Sequence, residues 1–271
     1  MLQFIKKIIS EFLPSSLIKL VRKYLKPRKP IMRGVYEKYS DISQDQVWDS
    51  PQWLEQQRNA LSLIGDWSYL PELSQCFLSV TALHLNLVSK DNVIEVLDFG
   101  GGTGFLYFEM KRLGSLLYPQ NINWTVIDEQ NSLELGRQFK NKEDSIKFFS
   151  DIPTPHKFDV LHVSGVLQYI DDIEGTLGDL IETTDPSHII LTRLKGGADN
   201  PEYFTESMMW DSQVALHIIN VKNLTKFLGL YGFKPVFRSS WAKEYIREDH
   251  YHEVPIDHQI YCSSHMFFCK S

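Results

Sequence analysis

One short stretch, residues 96–104, reads Val-Leu-Asp-Phe-Gly-Gly-Gly-Thr-Gly and constrains the fold more than any other part of the chain. An apolar run, Val93-Ile94-Glu95-Val96-Leu97, precedes it, and residues 105–113 carry apolar side chains at helical spacing after it. The pattern is strand, glycine turn, helix. Asp98 closes the strand, and Gly100, Gly101, Gly102 and Gly104 follow. Glycine allows positive φ and lets a ligand approach bare backbone. The helix start beyond it offers free N–H groups and a positive dipole end, which suit a carboxylate or phosphate.

Two nucleotide motifs fail here on spacing. A dinucleotide fingerprint starting at Gly100 needs glycine at 105, where Phe105 stands, and a phosphate loop needs a Gly-Lys pair that the stretch lacks. Asp98-x-Gly100-x-Gly102-x-Gly104 instead resembles the first motif of class I S-adenosylmethionine (SAM) dependent methyltransferases. The resemblance implies that Gly100, Gly101, Gly102, Thr103 and Gly104 pack against the aminoacyl and ribose parts of SAM. It also implies that Asp98 sits near the cationic amino-acid portion.

The rest of the chain adds motifs in order. Residues 122–127 read as a second strand ending at Asp128, 24 residues past Gly104. An acid there is placed to bind ribose hydroxyls. A third strand over 145–149 leads to Asp151 and Ile152, which the resemblance assigns to the adenine amino group and ring. A fourth, over 158–163, runs into Ser164-Gly165-Val166-Leu167-Gln168-Tyr169-Ile170-Asp171-Asp172. This is similar to the family's fourth motif, with Ser164 and Gly165 leaving room for the cofactor and Tyr169 where many relatives carry His. Asp159 and His162, inside the strand, read as structural. Helices at 51–63 and 73–88 cap the cofactor edge, and His84 on the second reads as packed or exposed. A helix at 176–183, a strand at 187–193, a helix at 221–231 closed by Gly232, a strand beginning at 233–237 and a last strand at 259–269 complete the pattern. The expected fold is α/β, Rossmann-like: a seven-stranded, mostly parallel sheet with helices on both faces, plus an N-terminal helical extension.

Charge divides the chain. Residues 1–33 hold nine Lys or Arg and one acid, Glu11, whereas the remainder holds 19 basic and 33 acidic residues. Ile5, Ile8, Ile9, Phe12 and Leu13, then Leu17, Leu20, Val21, Tyr24 and Leu25, recur at helical spacing between the cations. The arm reads as two amphipathic helices suited to an anionic membrane surface, and its apolar runs are too short to span one. Packing on the body or on a second subunit, giving an oligomer, is the alternative. The acidic body excludes a nucleic-acid partner. Cys76, Cys262 and Cys269 have neither an even count nor metal-type spacing, so reduced thiols and a cytoplasmic protein, peripheral on the inner face of the membrane, are expected. The divisions are 1–33 basic arm, 34–92 helical cap and 93–271 SAM-binding domain.

Two segments without clear periodicity, 195–213 and 243–258, carry Tyr203, Glu206, Trp210, His250, Tyr251, His252 and Asp257 and would build the acceptor side. A hydroxyl acceptor needs a base near the methyl. The candidates are His252, His250 and His217, then Tyr169 and Asp171. His250 and His252 share a strand face, as metal ligands can, but no third ligand is in sight and no metal is assigned. The pieces together resemble a bacterial family of methyltransferases associated with surface-polysaccharide biosynthesis, which implies O-methylation of a sugar or lipid-linked glycan. A small-molecule or protein methyltransferase, and a non-catalytic, membrane-tethered scaffold with the same fold, remain open alternatives.

Overall fold

The structure, a computed structural model, describes residues 31–48, 50–64, 93–112, 122–153, 157–209, 212–242, 251–260 and 262–271. The basic arm through residue 30, the helix expected at 73–88 with Cys76 and His84, Trp210 and His250 lie outside these residues. In chain order the elements are β1 (Met32–Tyr36), α1 (Pro51–Ser62), β2 (Ile94–Phe99), α2 (Phe105–Arg112), β3 (Ile122–Ile127), α3 (Gln130–Phe139), β4 (Ile146–Phe149), β5 (Val160–Ser164), α4 (Ile173–Thr184), β6 (His188–Lys195), β7 (Tyr203–Met209), β8 (Ser212–Ile218), α5 (Val221–Leu230), β9 (Phe233–Ala242), β10 (Tyr251–His252) and β11 (Cys262–Lys270). Short 3-10 turns stand at Tyr39–Asp41, Leu167–Tyr169 and Ile256–His258.

Seven strands form the main sheet in the order β4-β3-β2-β5-β6-β11-β9. Neighbours from β4 to β6 pair parallel, and only β11 runs against both of its neighbours. The central strands are apolar on both faces: Val96, Leu97, Val160, Leu161 and Val163 are fully buried. That is the signature of a parallel strand covered on both sides. One face packs Leu106, Tyr107, Phe108 and Met110 of α2 and Leu133 and Leu135 of α3 around Trp124. The other packs Leu177, Leu180 and Ile181 of α4 and Leu224 and Leu228 of α5 around Leu161 and Phe268. The chain leaves the sheet in opposite directions from β2 and β5, so a crevice opens beyond their carboxyl ends.

A second sheet, β10-β1-β7-β8, corrects the sequence reading. Residues 195–213 are not irregular: β6 continues to Lys195, and β7 and β8 form an antiparallel hairpin. Met32 and Arg33, expected to belong to the arm, instead pair with Ser207 and Glu206 of β7. The hairpin was hidden because its inward residues are not all apolar. Thr205 and Ser207 are buried between the outward Phe204, Glu206 and Met208, and the Thr205 hydroxyl donates to the Arg33 carbonyl. Alternation of burial is intact, but alternation of hydrophobicity, the visible signal, is blunted.

Two helix starts fix the surroundings of the crevice. Ser50 accepts a hydrogen bond from the Trp53 N–H, with Pro51 opening α1. Asp172 accepts from the Gly175 N–H to open α4.

Candidate functional site

The glycine loop is shaped by three residues with φ of +68°, +58° and +73° at Gly100, Gly102 and Gly104. Side chains are excluded almost everywhere along it. A Cβ on Gly104 would lie 2.5 Å from Ile146 Cδ1, and one on Gly101 2.5 Å from Asp98 Oδ2. Gly102 differs: its face is open, and the nearest atom, Gln57 Oε1 on α1, would be 3.6 Å away. The loop therefore presents bare backbone at the crevice at one position, under a helix that spans it.

Asp128, at the end of β3, borders that opening. Its Oδ2 accepts from the Gly102 N–H at 2.7 Å and its Oδ1 from the Glu129 N–H at 2.7 Å. Burial pushes the carboxyl up to about 6, against the pull of the two N–H donors and with a smaller push from the charge of Asp98. A carboxylate held in this way still has lone pairs for hydroxyl donors.

Asp98 lies near the end of β2. It is buried beneath the loop, with Oδ1 2.7 Å from His162 Nδ1 and Oδ2 accepting from the Trp124 indole N–H at 3.1 Å. Its Oδ2 lies so close to Gly101 that a Cβ there would meet it at 2.5 Å, so Asp98 packs against the loop. Thr103 is likewise fully buried. Asp151, beyond β4, is exposed and accepts from Ser150 Oγ, and Ile152 packs partly buried on the α4 side of the sheet.

The crevice continues past β5. The Ser164 hydroxyl accepts from Thr192 Oγ1 at 2.8 Å, and Gly165, at φ +68°, is overlain by the Arg193 side chain, 3.4 Å from the position of a Cβ. Arg193 itself has φ +59°, a left-handed conformation that a non-glycine residue adopts only under strain. The Tyr169 carbonyl accepts from Tyr39 Oη at 2.8 Å, and its ring meets Trp48 edge-on at 4.6 Å. Trp48 in turn meets Trp53 of α1 at 5.1 Å. An aromatic wall thus runs from the capping helix to the turn after β5. Burial raises the Tyr169 hydroxyl above its ordinary value.

The other proposed bases separate. His252 lies on β10, the outer edge of the second sheet, beside Arg33 and Glu253. Three strand spacings, roughly 14 Å, part it from β8, the strand that packs against the turn after β5. Asp171 is exposed at the rim of a cavity of about 190 Å³ that also holds His217 and Glu202. His217, on β8, is buried with Nε2 3.0 Å from Glu202 Oε1 and Nδ1 3.4 Å from the Ile170 carbonyl. The hydrogen bond to His217 holds the Glu202 carboxyl below its ordinary value, so Glu202 stays ionised. Both ring nitrogens of His217 face acceptors, so the neutral ring donates to one of them, Nε2–H to Glu202 or Nδ1–H to the Ile170 carbonyl.

Sequence reasoning missed Gln57, Trp48, Tyr39, Arg193 and Glu202. Only Trp48, five residues before Trp53, left a visible trace, as a second aromatic near the expected helix. Cys262 and Cys269 are free thiols. Among the described residues no group of three or more His, Cys, Asp or Glu could hold a metal ion. No helix among them is long and apolar enough to cross a membrane.

No protein-family model matches the sequence, and a search of curated proteins gives no match. Solved structures do resemble it. Magnesium protoporphyrin IX methyltransferase (ChlM) from Synechocystis PCC 6803, with SAM bound, superposes with a TM-score of 0.54 at 12% identity over 83% of this chain and 93% of that one. The glycopeptide N-methyltransferase MtfA, complexed with S-adenosyl-L-homocysteine, gives 0.50 at 12% over 71% and 90%. The fold of this chain is the mixed α/β, Rossmann-like fold of these methyltransferases.

Proposed function

We propose that this chain is a SAM-dependent methyltransferase acting on a hydroxyl of a sugar or lipid-linked glycan in surface-polysaccharide biosynthesis. The observation that carries the reading is the opening at Gly102 beside the Asp128 carboxylate, at the point where the sheet changes direction. The residues present fit SAM. Gly102 leaves a gap that any Cβ would narrow, and Asp128 faces it with acceptors for a ribose diol.

When bound, SAM supplies an electrophilic methyl on a sulfonium. The chain's own work is to hold the two reactants in line and to receive one proton. Asp128 binds the ribose hydroxyls, Asp151 and Ile152 border the adenine side, and Asp98 keeps the loop in shape from below. On the acceptor side, Trp48, Trp53 and Tyr169 offer apolar surface for the flat face of a sugar ring, and the carboxylates around the small cavity offer acceptors for its hydroxyls. In the tautomer that donates Nε2–H to Glu202, with the acceptor's hydroxyl replacing the Ile170 carbonyl at Nδ1, His217 takes the hydroxyl proton there as oxygen bonds to the methyl and the sulfur recovers its electron pair. Glu202 orients the ring and balances the imidazolium that forms.

The direct test is calorimetric titration of the purified protein with SAM and with S-adenosyl-L-homocysteine. Saturable binding of both by the folded protein is expected, and its absence would discard the reading. The basic arm is proposed to hold the enzyme at an anionic membrane, which would present lipid-linked acceptors to it. Because Met32 and Arg33 belong to β1, vesicle flotation should compare the full chain with one beginning at Ile31. Equal partition would sink the membrane role.

A further inference from the structure

We propose that Gln57 is a direct cofactor ligand, its carboxamide hydrogen-bonding the amino-acid end of SAM across the open face of Gly102. The inference rests on the methyltransferase reading above. It concerns a residue on a helix remote in sequence from every recognised motif.

Three observations place Gln57 there. First, Trp53, Gln57 and Leu61 fall at i, i+4 and i+8 and so share one face of α1. Leu61 is buried in the core shared with α2 and α3, and Trp53 joins the aromatic wall at Trp48. Gln57 is the polar residue between two apolar anchors, on the side of the helix that faces the protein. Second, its Oε1 is the nearest atom to the one loop glycine whose face is open. Third, the loop itself gives that carboxamide nothing to bind: the Gly102 N–H is already donated to Asp128. Among the described residues no hydrogen bond holds the Gln57 side chain. Gln57 is half-buried, so its carboxamide is open to a ligand that enters over Gly102 in place of water.

The chemistry of the gap selects the part of the ligand. Asp128, on the β3 side, takes the ribose diol. The methyl must face the acceptor side, where Tyr169 and His217 lie beyond β5. What remains to cross the loop is the amino-acid end, whose carboxylate suits the positive start of α2 at Phe105. A carboxamide can donate to that carboxylate or accept from the ammonium. It also ties α1, and with it the aromatic wall, to the presence of the intact cofactor.

The test compares SAM with methylthioadenosine, which keeps the adenosine but lacks the amino-acid end. Calorimetry on Gln57→Leu should show SAM and S-adenosyl-L-homocysteine weakened about tenfold, the range for a hydrogen bond to a charged group, with methylthioadenosine unchanged within experimental error. Gln57→Glu should change SAM affinity and leave methylthioadenosine alone, since a carboxylate there repels or attracts a charged end. Gln56→Leu, on the exposed side of the same helix, serves as control. Unchanged SAM binding in Gln57→Leu, or equal weakening of SAM and methylthioadenosine, would overturn the assignment. Failure of the native protein to bind SAM at all would instead overturn the methyltransferase reading, so the two failures are distinguishable.

Discussion

The two sides of the crevice are built from different distances along the chain. The proposed cofactor side is compact in sequence: glycine loop, Asp128 and Asp151 follow one another at the ends of three successive strands. The proposed acceptor side draws Tyr39 and Trp48 from before the main sheet, Tyr169 from its middle, and Glu202 and His217 from the hairpin region after β6. A site made of neighbouring turns can keep its shape with few long-range constraints. A site made of three distant parts of the chain can vary piece by piece, which is where a shared fold acquires different acceptors.

Variants on each side can break that comparison. The largest effect is expected from Gly102→Arg: a side chain at φ +58° in the only open position of the loop should abolish SAM binding, read by calorimetry on protein of native circular dichroism. His217→Ala should leave SAM affinity intact while methyl transfer falls about 10²–10⁴-fold, the range for losing a general base. If SAM affinity fell as well, the two sides would not be separable. Asp128→Asn should weaken SAM about tenfold, as loss of a charged hydrogen-bond acceptor does.

Asp128 also predicts a pH dependence. Its folded value of about 6 lies above the ordinary 3.8, so the folded protein disfavours the charged form. The penalty is absent below pH 4, grows between 4 and 6, and is complete above 6, where it amounts to on the order of 3 kcal/mol. Unliganded Asp128→Asn should therefore unfold at a higher temperature than the native chain at pH 7, with the gap closing as pH falls toward 4. SAM, which needs the carboxylate as acceptor, should bind more weakly as pH drops through 6. Its binding enthalpy near pH 6 should vary with the buffer's ionisation enthalpy and lose that variation at pH 8.

How much of this could be read from residues follows the same division. The shape of the glycine loop was legible because its signal is local: glycine where φ must be positive, an acid at the next strand end. Asp98 was legible as a residue but not in its surroundings. Its partners, Trp124 and His162, stand 26 and 64 positions away on other strands, and nothing near Asp98 announces them. β7 escaped because Thr205 and Ser207 are polar residues that bury. Gln57 escaped because a glutamine in an amphipathic helix looks like any solvated side chain until the loop beneath it is seen.

The reversed strand carries a consequence for how the chain acquires its shape. β9 reaches the sheet only through β11, which lies between it and β6 and comes last in sequence. During synthesis, β2 to β6 can assemble as their residues emerge, but β9 has no edge to join until residues 262–270 arrive. Until then the long flank of β6 is an unpaired strand in a partly built sheet, the state in which such chains associate wrongly. β9 and β11 therefore complete the sheet together, and a chain cut before residue 262 should expose the edge of β6.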